Sequence, residues 1–167
     1  MTEELFDVCD AEDRVIGVAP RSEVHAQNWL HRAVHVFVFN PAGELLMHLR
    51  SATKDQYPLR FTSSASGHVS SGEGYDLSAE RELWEELGLC GKLESLAKFP
   101  AGPETNYEHT MLYRLVTEDV PTPDPVEIAA IEWLPLAEVA ARLQREPDRF
   151  SPCYRTLLTW YLSRESH

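Results

Sequence analysis

The sequence predicts an α/β protein in which a mixed β-sheet is sandwiched between helices. Val- and Phe-rich runs that read as strands recur from Leu5 to Trp133. Helical segments with their own start and stop signals are interleaved with these runs rather than gathered at one end. The composition agrees: 167 residues, 43% hydrophobic and 25% charged, can bury a real core. Residues 1–167 are therefore expected to form a single domain.

Leu5 to Cys9 and Val15 to Val18 read as short strands joined through the turn-forming D-A-E-D, a hairpin. Pro20 to Gln27 opens on a proline, which suits a first helical turn, so a short helix is expected. Arg32 to Asn40 has the Val and Phe content of a buried strand. The P-A-G turn at Pro41 to Gly43 returns the chain into a second strand, Glu44 to Arg50. Ser51 to Pro58 is a polar loop, and Phe61 to Ala65 is extended. The strongest helix signal runs from Leu77 to Leu87, with Asp76 as N-cap and Gly88 as a left-handed terminator. Its stripe of Ala79, Leu83 and Leu87 would pack on the sheet. Lys92 to Phe99 and His109 to Thr117 are strands flanking a loop, Pro100 to Glu108. The P-T-P-D-P run at Pro121 to Pro125 is a rigid connection, not a domain boundary. Ile128 to Trp133 is a further strand. One helix starts at Pro135 and runs to about Arg145, and a last one starts at Ser151-Pro152 and runs to about Ser163.

A net charge of −12 without a basic patch argues against nucleic acid or an anionic membrane as partner. Cys9, Cys90 and Cys153 fit neither a disulfide framework nor a zinc pattern, so reduced thiols are expected. No apolar run reaches the ~18 residues of a membrane span, and M-T-E-E-L-F-D is acidic rather than a signal peptide. A cytoplasmic protein is expected, with monomer or homodimer left open.

The chemistry concentrates on the helix that ends at Leu87. At about 100° per residue, Glu82, Glu85 and Glu86 share an arc of roughly 100°. Each like-charge pair costs about 0.2–0.5 kcal/mol on an exposed helix, and more without water. A hard divalent cation removes that cost, and Mg2+, which takes oxygen ligands and keeps several waters, suits an incomplete carboxylate cage. The competing reading is a solvated acidic face. Gly67, Gly72 and Gly74 in the preceding segment allow close approach of backbone to a ligand.

Residues 67–89 together read G-x5-E-x7-R-E-U-x-E-E-x-G-U, with U a bulky apolar residue and all nine specified positions filled. This resembles the Nudix box, the signature of the Nudix hydrolases. The resemblance implies the Nudix sandwich fold and Glu82, Glu85 and Glu86 as metal ligands, with the Gly67 carbonyl often joining them. Glu73 and Arg81 would be supporting residues, Arg81 orienting carboxylates through its fork. It further implies hydrolysis of a nucleoside diphosphate linked to another group, with Mg2+ as cofactor and Mn2+ as a substitute. The partner would be a small nucleotide or another diphosphate.

Similarity extends over roughly Leu5 to Leu89. L-H-R-A-V, L-L-M-H-L-R-S-x-x-K and F-T-S-S-A-S-G-H-V resemble the isopentenyl-diphosphate isomerase branch of the superfamily. Those isomerases carry a catalytic cysteine immediately before the box glycine. Ser66 stands there, a far poorer proton donor, which speaks against alkene chemistry. Their metal site uses histidines and glutamates outside the helix. His25, His31, His68 and Glu108 stand at matching places, and Asn106 replaces an expected glutamate. Arg50 and Lys54 match the positions that hold diphosphate in that branch, the alternative being a solvated loop. His68, in the box loop, is a further candidate for substrate. Glu104 or Glu108 would supply a loop carboxylate, and Trp29, Tyr57, Phe61 and Tyr107 are candidate platforms for a base.

The expected activity is Mg2+-dependent cleavage of a nucleoside di- or triphosphate to a nucleoside monophosphate, with Glu82, Glu85 or Glu108 taking the water's proton. Alternatives are an isomerase-like enzyme acting on isoprenoid diphosphates, a dinucleoside polyphosphate hydrolase, and a non-catalytic sensing domain.

Overall fold

The computed structural model describes residues 3–165. Its elements in chain order are β1 (Leu5–Cys9), β2 (Val15–Pro20), α1 (Arg21–Gln27), β3 (His31–Phe39), β4 (Glu44–Arg50), β5 (Phe61–Thr62), β6 (Ala65–His68), α2 (Tyr75–Leu87), β7 (Glu94–Phe99), β8 (Glu108–Val116), β9 (Ile128–Pro135), α3 (Leu136–Arg145) and α4 (Pro152–Glu165). A 3-10 turn, Pro103–Thr105, precedes β8.

β3 is the axis of the molecule, and its side-chain period explains the layers. Val34, Val36 and Val38 face one side, where they are buried with Ala79, Leu83 and Leu87 of α2. Phe37 and Phe39 face the other, against Tyr154, Leu157, Leu158 and Tyr161 of α4. Fully burying side chains such as Leu83 and Leu87 contributes about 1.5–3 kcal/mol each. β3 pairs in parallel with β8 and antiparallel with β4 and β6, so the seven-stranded sheet is mixed. The sandwich expected from the sequence is present, and β1–β2 form a separate two-stranded hairpin sheet.

The opening in this sheet places the site. β3 and β4 pair only at Phe39 and Leu45, then diverge. β6 takes up the β3 edge from Ala33 to Val36, while β4 pairs with β5 and β9.

Two expectations are corrected here. Asp76 is not the N-cap: α2 begins two residues earlier than expected, at Tyr75 behind Gly74, and the Asp76 carboxylate accepts a 2.5 Å hydrogen bond from the Tyr113 hydroxyl. Tertiary pairing of that carboxylate replaces the local cap. Gly67 and His68 belong to strand β6 rather than a loop, because β3 offers them a ladder at Val34 and Ala33. Gly88 does end α2 in the left-handed region, φ 64°, donating to the Trp84 carbonyl. The Pro-rich connection completes that end: Thr122 and Asp124 donate backbone N–H groups to the carbonyls of Leu87 and Glu86, which lack partners inside the helix.

Candidate active site

The diverging strands and the polar face of α2 enclose a cavity of about 300 Å³, lined by Gly67, His68, Arg81, Glu82, Glu85, Glu86 and Glu108 together with Arg50 and Lys54. The box residues Gly67, Arg81, Glu82, Glu85 and Glu86 thus share one space with His68, Glu108, Arg50 and Lys54, and Glu73 is bonded to Arg81 directly behind it.

Arg81 organises the carboxylates. Its Nε and Nη2 donate to Glu73 at 3.0 and 2.9 Å, a bidentate pair. Nη1 donates to Glu82 Oε1 at 2.9 Å and to Glu85 Oε2 at 3.2 Å. Nη2 also reaches the His68 carbonyl at 3.3 Å, which ties the helix to β6. The hydrogen bonds from Arg81 hold the Glu73 carboxyl below its ordinary value.

The helix carboxylates that face inward are differently placed. Burial pushes the Glu82 carboxyl up to about 7, Arg81 opposing and Glu85 adding to the rise. Glu86, 8% exposed, is raised well above the ordinary value by burial and then by Glu82. Among the described residues its Oε1 accepts only the Ser66 N–H, at 3.2 Å, with His48 Nδ1 3.9 Å away. Glu85 is 56% exposed at the rim. A Cβ built on Gly67 would fall inside the Glu82 carboxylate, so the strand carbonyls and the acid share a space that only glycine leaves open. A hard divalent cation fits this donor set, since it would neutralise carboxylates that burial otherwise keeps protonated.

A second donor set lies alongside. The imidazoles of His25, His31 and His68 bring one ring nitrogen each within 4.8 Å of one another. Glu108 Oε2 is 2.7 Å from His68 Nε2 and 3.4 Å from His31 Nε2. His31 Nδ1 donates to the Trp29 carbonyl at 2.8 Å, and its buried Nε2, without a hydrogen-bond partner among the described residues, faces the carboxylate. A proton or a cation between this nitrogen and the carboxylate would satisfy both. Burial, then His68 and His31, lower His25 to about 4, so it is a neutral ligand at physiological pH. Burial alone would raise Glu108, but His68 and His31 outweigh it and hold the carboxylate well below its ordinary range. Asn106, in the left-handed region at φ 54°, also lines the cavity and accepts from the Tyr57 hydroxyl at 3.3 Å.

The positive side is less free than the sequence suggests. Arg50 Nε donates to the Gln56 carbonyl at 3.0 Å, and Lys54 Nζ pairs with Glu127 at 2.5 Å. Of the candidate platforms, Tyr57 lines the cavity. Phe61 does not: it is buried in the core against Phe150, under Arg142 and Arg149. Trp29 and Tyr107 do not line the cavity, and Glu104 is exposed outside it. Arg21, His48, Glu127 and Cys153 line the cavity and were not anticipated as site residues, and His35, one of the four histidines clustered in the first half of the sequence, joins them. They converge from α1, β3, β4, the connection before β9 and α4, and no local motif marks them.

These features bring together, in one cavity, acidic groups suited to a divalent cation and cationic groups suited to phosphate. Residues 29–160 match the family model described as NUDIX domain. An isopentenyl-diphosphate Delta-isomerase of Halorhodospira halophila is 36% identical over 160 residues, covering 90% of this chain and 91% of the relative. A prenyl-diphosphate phosphatase of Methanosarcina mazei is 30% identical over 155 residues, covering 90% and 91%. The crystal structure of a Deinococcus radiodurans protein, DR0079, superposes with a TM-score of 0.74 at 29% identity, covering 85% of this chain and 90% of that one. The chain belongs to the Nudix hydrolase family, in its isopentenyl-diphosphate-isomerase-like branch, and is an enzyme.

Proposed function

We propose that residues 1–167 act as one catalytic domain that hydrolyses a diphosphate linkage in a small molecule, with Mg2+ as the working cation and Mn2+ as a substitute. The observation that carries this reading is the Glu82–Glu86 pair: two carboxylates kept from water beside Arg50 and Lys54 in one cavity. Glu82, Glu85, Glu86 and the Gly67 carbonyl would hold the cation, which would polarise the diphosphate and acidify a water.

The chain's own groups then divide the work. Arg81 fixes Glu82 and Glu85 against Glu73, so the carboxylates need little reorganisation. Arg50 and Lys54 receive the phosphate oxygens, Lys54 exchanging its bond to Glu127 for one to substrate. The water's proton passes to Glu82, Glu85 or Glu108. Glu108 is ionised and touches His68, which provides an exit for the proton. Tyr57 on the cavity wall offers a ring for a base, which supports a nucleoside di- or triphosphate as substrate and a nucleoside monophosphate as product.

A second reading is hydrolysis of an isoprenoid diphosphate. The meeting of His25, His31 and His68 with Glu108 favours it, as does the described activity of the Methanosarcina relative. Ser66 argues for hydrolysis over isomerisation within that reading.

Nucleoside di- and triphosphates, sugar nucleotides, dinucleoside polyphosphates and isopentenyl and dimethylallyl diphosphates, incubated with Mg2+ or Mn2+ and followed by phosphorus NMR, test both. Release of a nucleoside monophosphate supports the first reading, and phosphate or diphosphate from the isoprenoids the second. Glu86→Gln should lower the active rate about 10²-fold or more. No hydrolysis of any diphosphate, or near-normal turnover by Glu86→Gln, overturns the assignment.

A further inference from the structure

His35 and Cys153 play no part in that chemistry, yet His35, Glu108 and Cys153 all line the cavity. They come from β3, the start of β8 and the first turn of α4, and each is buried, at 6%, 7% and 3% exposure. One ligand atom from each lies within 4.8 Å of the other two. His35 Nε2 is 3.6 Å from Cys153 Sγ. A tetrahedral zinc with bonds of about 2.0–2.3 Å sets its ligand atoms about 3.5 Å apart, so these atoms already stand near ligand spacing.

The surroundings orient the donors. His35 Nδ1 is 2.7 Å from Ser63 Oγ, and with its proton directed there Nε2 presents a lone pair to the cluster. Cys153 is the second residue of α4, a helix of 14 residues, and burial, then the Glu108 carboxylate, push its thiol up, so the metal-free cluster holds a neutral S–H. Glu108 is shared with His68, and a carboxylate with two oxygens and about four lone-pair sites can accept from His68 while ligating elsewhere. One imidazole, one carboxylate and one thiol make a mixed N/O/S set that suits zinc better than magnesium.

We propose that His35, Glu108 and Cys153 form a three-ligand zinc site in the floor of the cavity, distinct from the carboxylates of α2. Its fourth position opens to the cavity, the arrangement that accepts a water or a substrate oxygen. On binding, the Cys153 S–H bond breaks, the proton leaves to solvent and the sulfur's electron pair forms the bond to zinc. Glu108 then stands between this site and the histidine set, a carboxylate positioned to bridge both.

Cobalt(II) as a spectroscopic stand-in for zinc tests this without reference to turnover. The metal-free protein titrated with cobalt should gain near-ultraviolet thiolate-to-cobalt absorption, and an equimolar amount of zinc should abolish it. The double variant Cys9→Ser/Cys90→Ser leaves Cys153 as the sole thiol without touching the site, and it should show the full band. Cys153→Ser should lose the band, while His25→Asn should keep it. Absence of the band in the double variant, or its persistence in Cys153→Ser, overturns the proposal. The outcome is independent of which diphosphate the enzyme cleaves.

Discussion

Replacing Glu82 by glutamine should stabilise the metal-free protein above neutral pH. The Glu82 side chain is 14% exposed, and burial lifts its carboxyl from 4.5 to about 7. The unfolded chain ionises this group near 4.5, whereas the folded chain retains the proton to about 7. The contribution is therefore fully present below the unfolded value and lost as pH rises through the folded one. At about 1.4 kcal/mol per pKa unit, the loss amounts to about 3 kcal/mol when complete. Glutamine carries no charge at any pH, and its amide oxygen still accepts from Arg81 Nη1, 2.9 Å away in the parent. In chelator, urea unfolding followed by tryptophan fluorescence should show Glu82→Gln more stable than the parent by about 2–3 kcal/mol at about pH 8. Most of that difference should vanish by about pH 5, where the parent carboxyl is protonated. Mg2+ at a hundredfold excess over Kd should narrow that gap, since about 2.7 kcal/mol accrues to the parent and less to the variant. Equal stabilities at both pH values would refute the claim that Glu82 is an uncompensated buried acid, and with it the physical case for a cation there.

Gly67→Ala should fold yet lose about 10²-fold in turnover, because a Cβ at that position displaces the Glu82 carboxylate and misplacement of about 1 Å has that cost; unchanged kcat would contradict the shared space. Asp13→Asn should cost about 2 kcal/mol at neutral pH with turnover retained. Burial alone would raise the Asp13 carboxyl, but hydrogen bonds from Lys98, Arg32 and Tyr75 bring it down to about 2. Its stabilisation is thus present above 3.8 and lost as pH falls through about 2. Asparagine tolerates the left-handed backbone there, φ 65°, so denaturation of the variant isolates the charge; an unshifted urea midpoint at neutral pH would show the cluster to be idle.

What could be read in advance follows from the range of the interactions concerned. The carboxylates of α2 are four residues apart or fewer, and their common face is a property of helical period. The stripe of Ala79, Leu83 and Leu87 was legible for the same reason and is buried against β3 as expected. Asp76 failed because capping propensity is local while its partner, Tyr113, is 37 residues away. Phe61 failed likewise: an aromatic at a strand end was read as a platform, and its environment was decided by Phe150 and two arginines from the C-terminal quarter.

The same distinction governs the cavity floor. Gly67, His68 and the α2 glutamates sit within one short segment, so spacing alone brings them forward. His35 and Cys153 are 118 residues apart and meet only because β3 turns its Phe37 face toward α4. That packing requires Phe37 and Tyr154 to pack edge to face, centroids 5.8 Å apart, and it carries the preceding residue of α4 into the cavity beside His35. The apolar contact that stabilises the layer is thus also what assembles a mixed-ligand cluster, whose individual members look like an ordinary buried histidine and an ordinary buried cysteine until the layer closes.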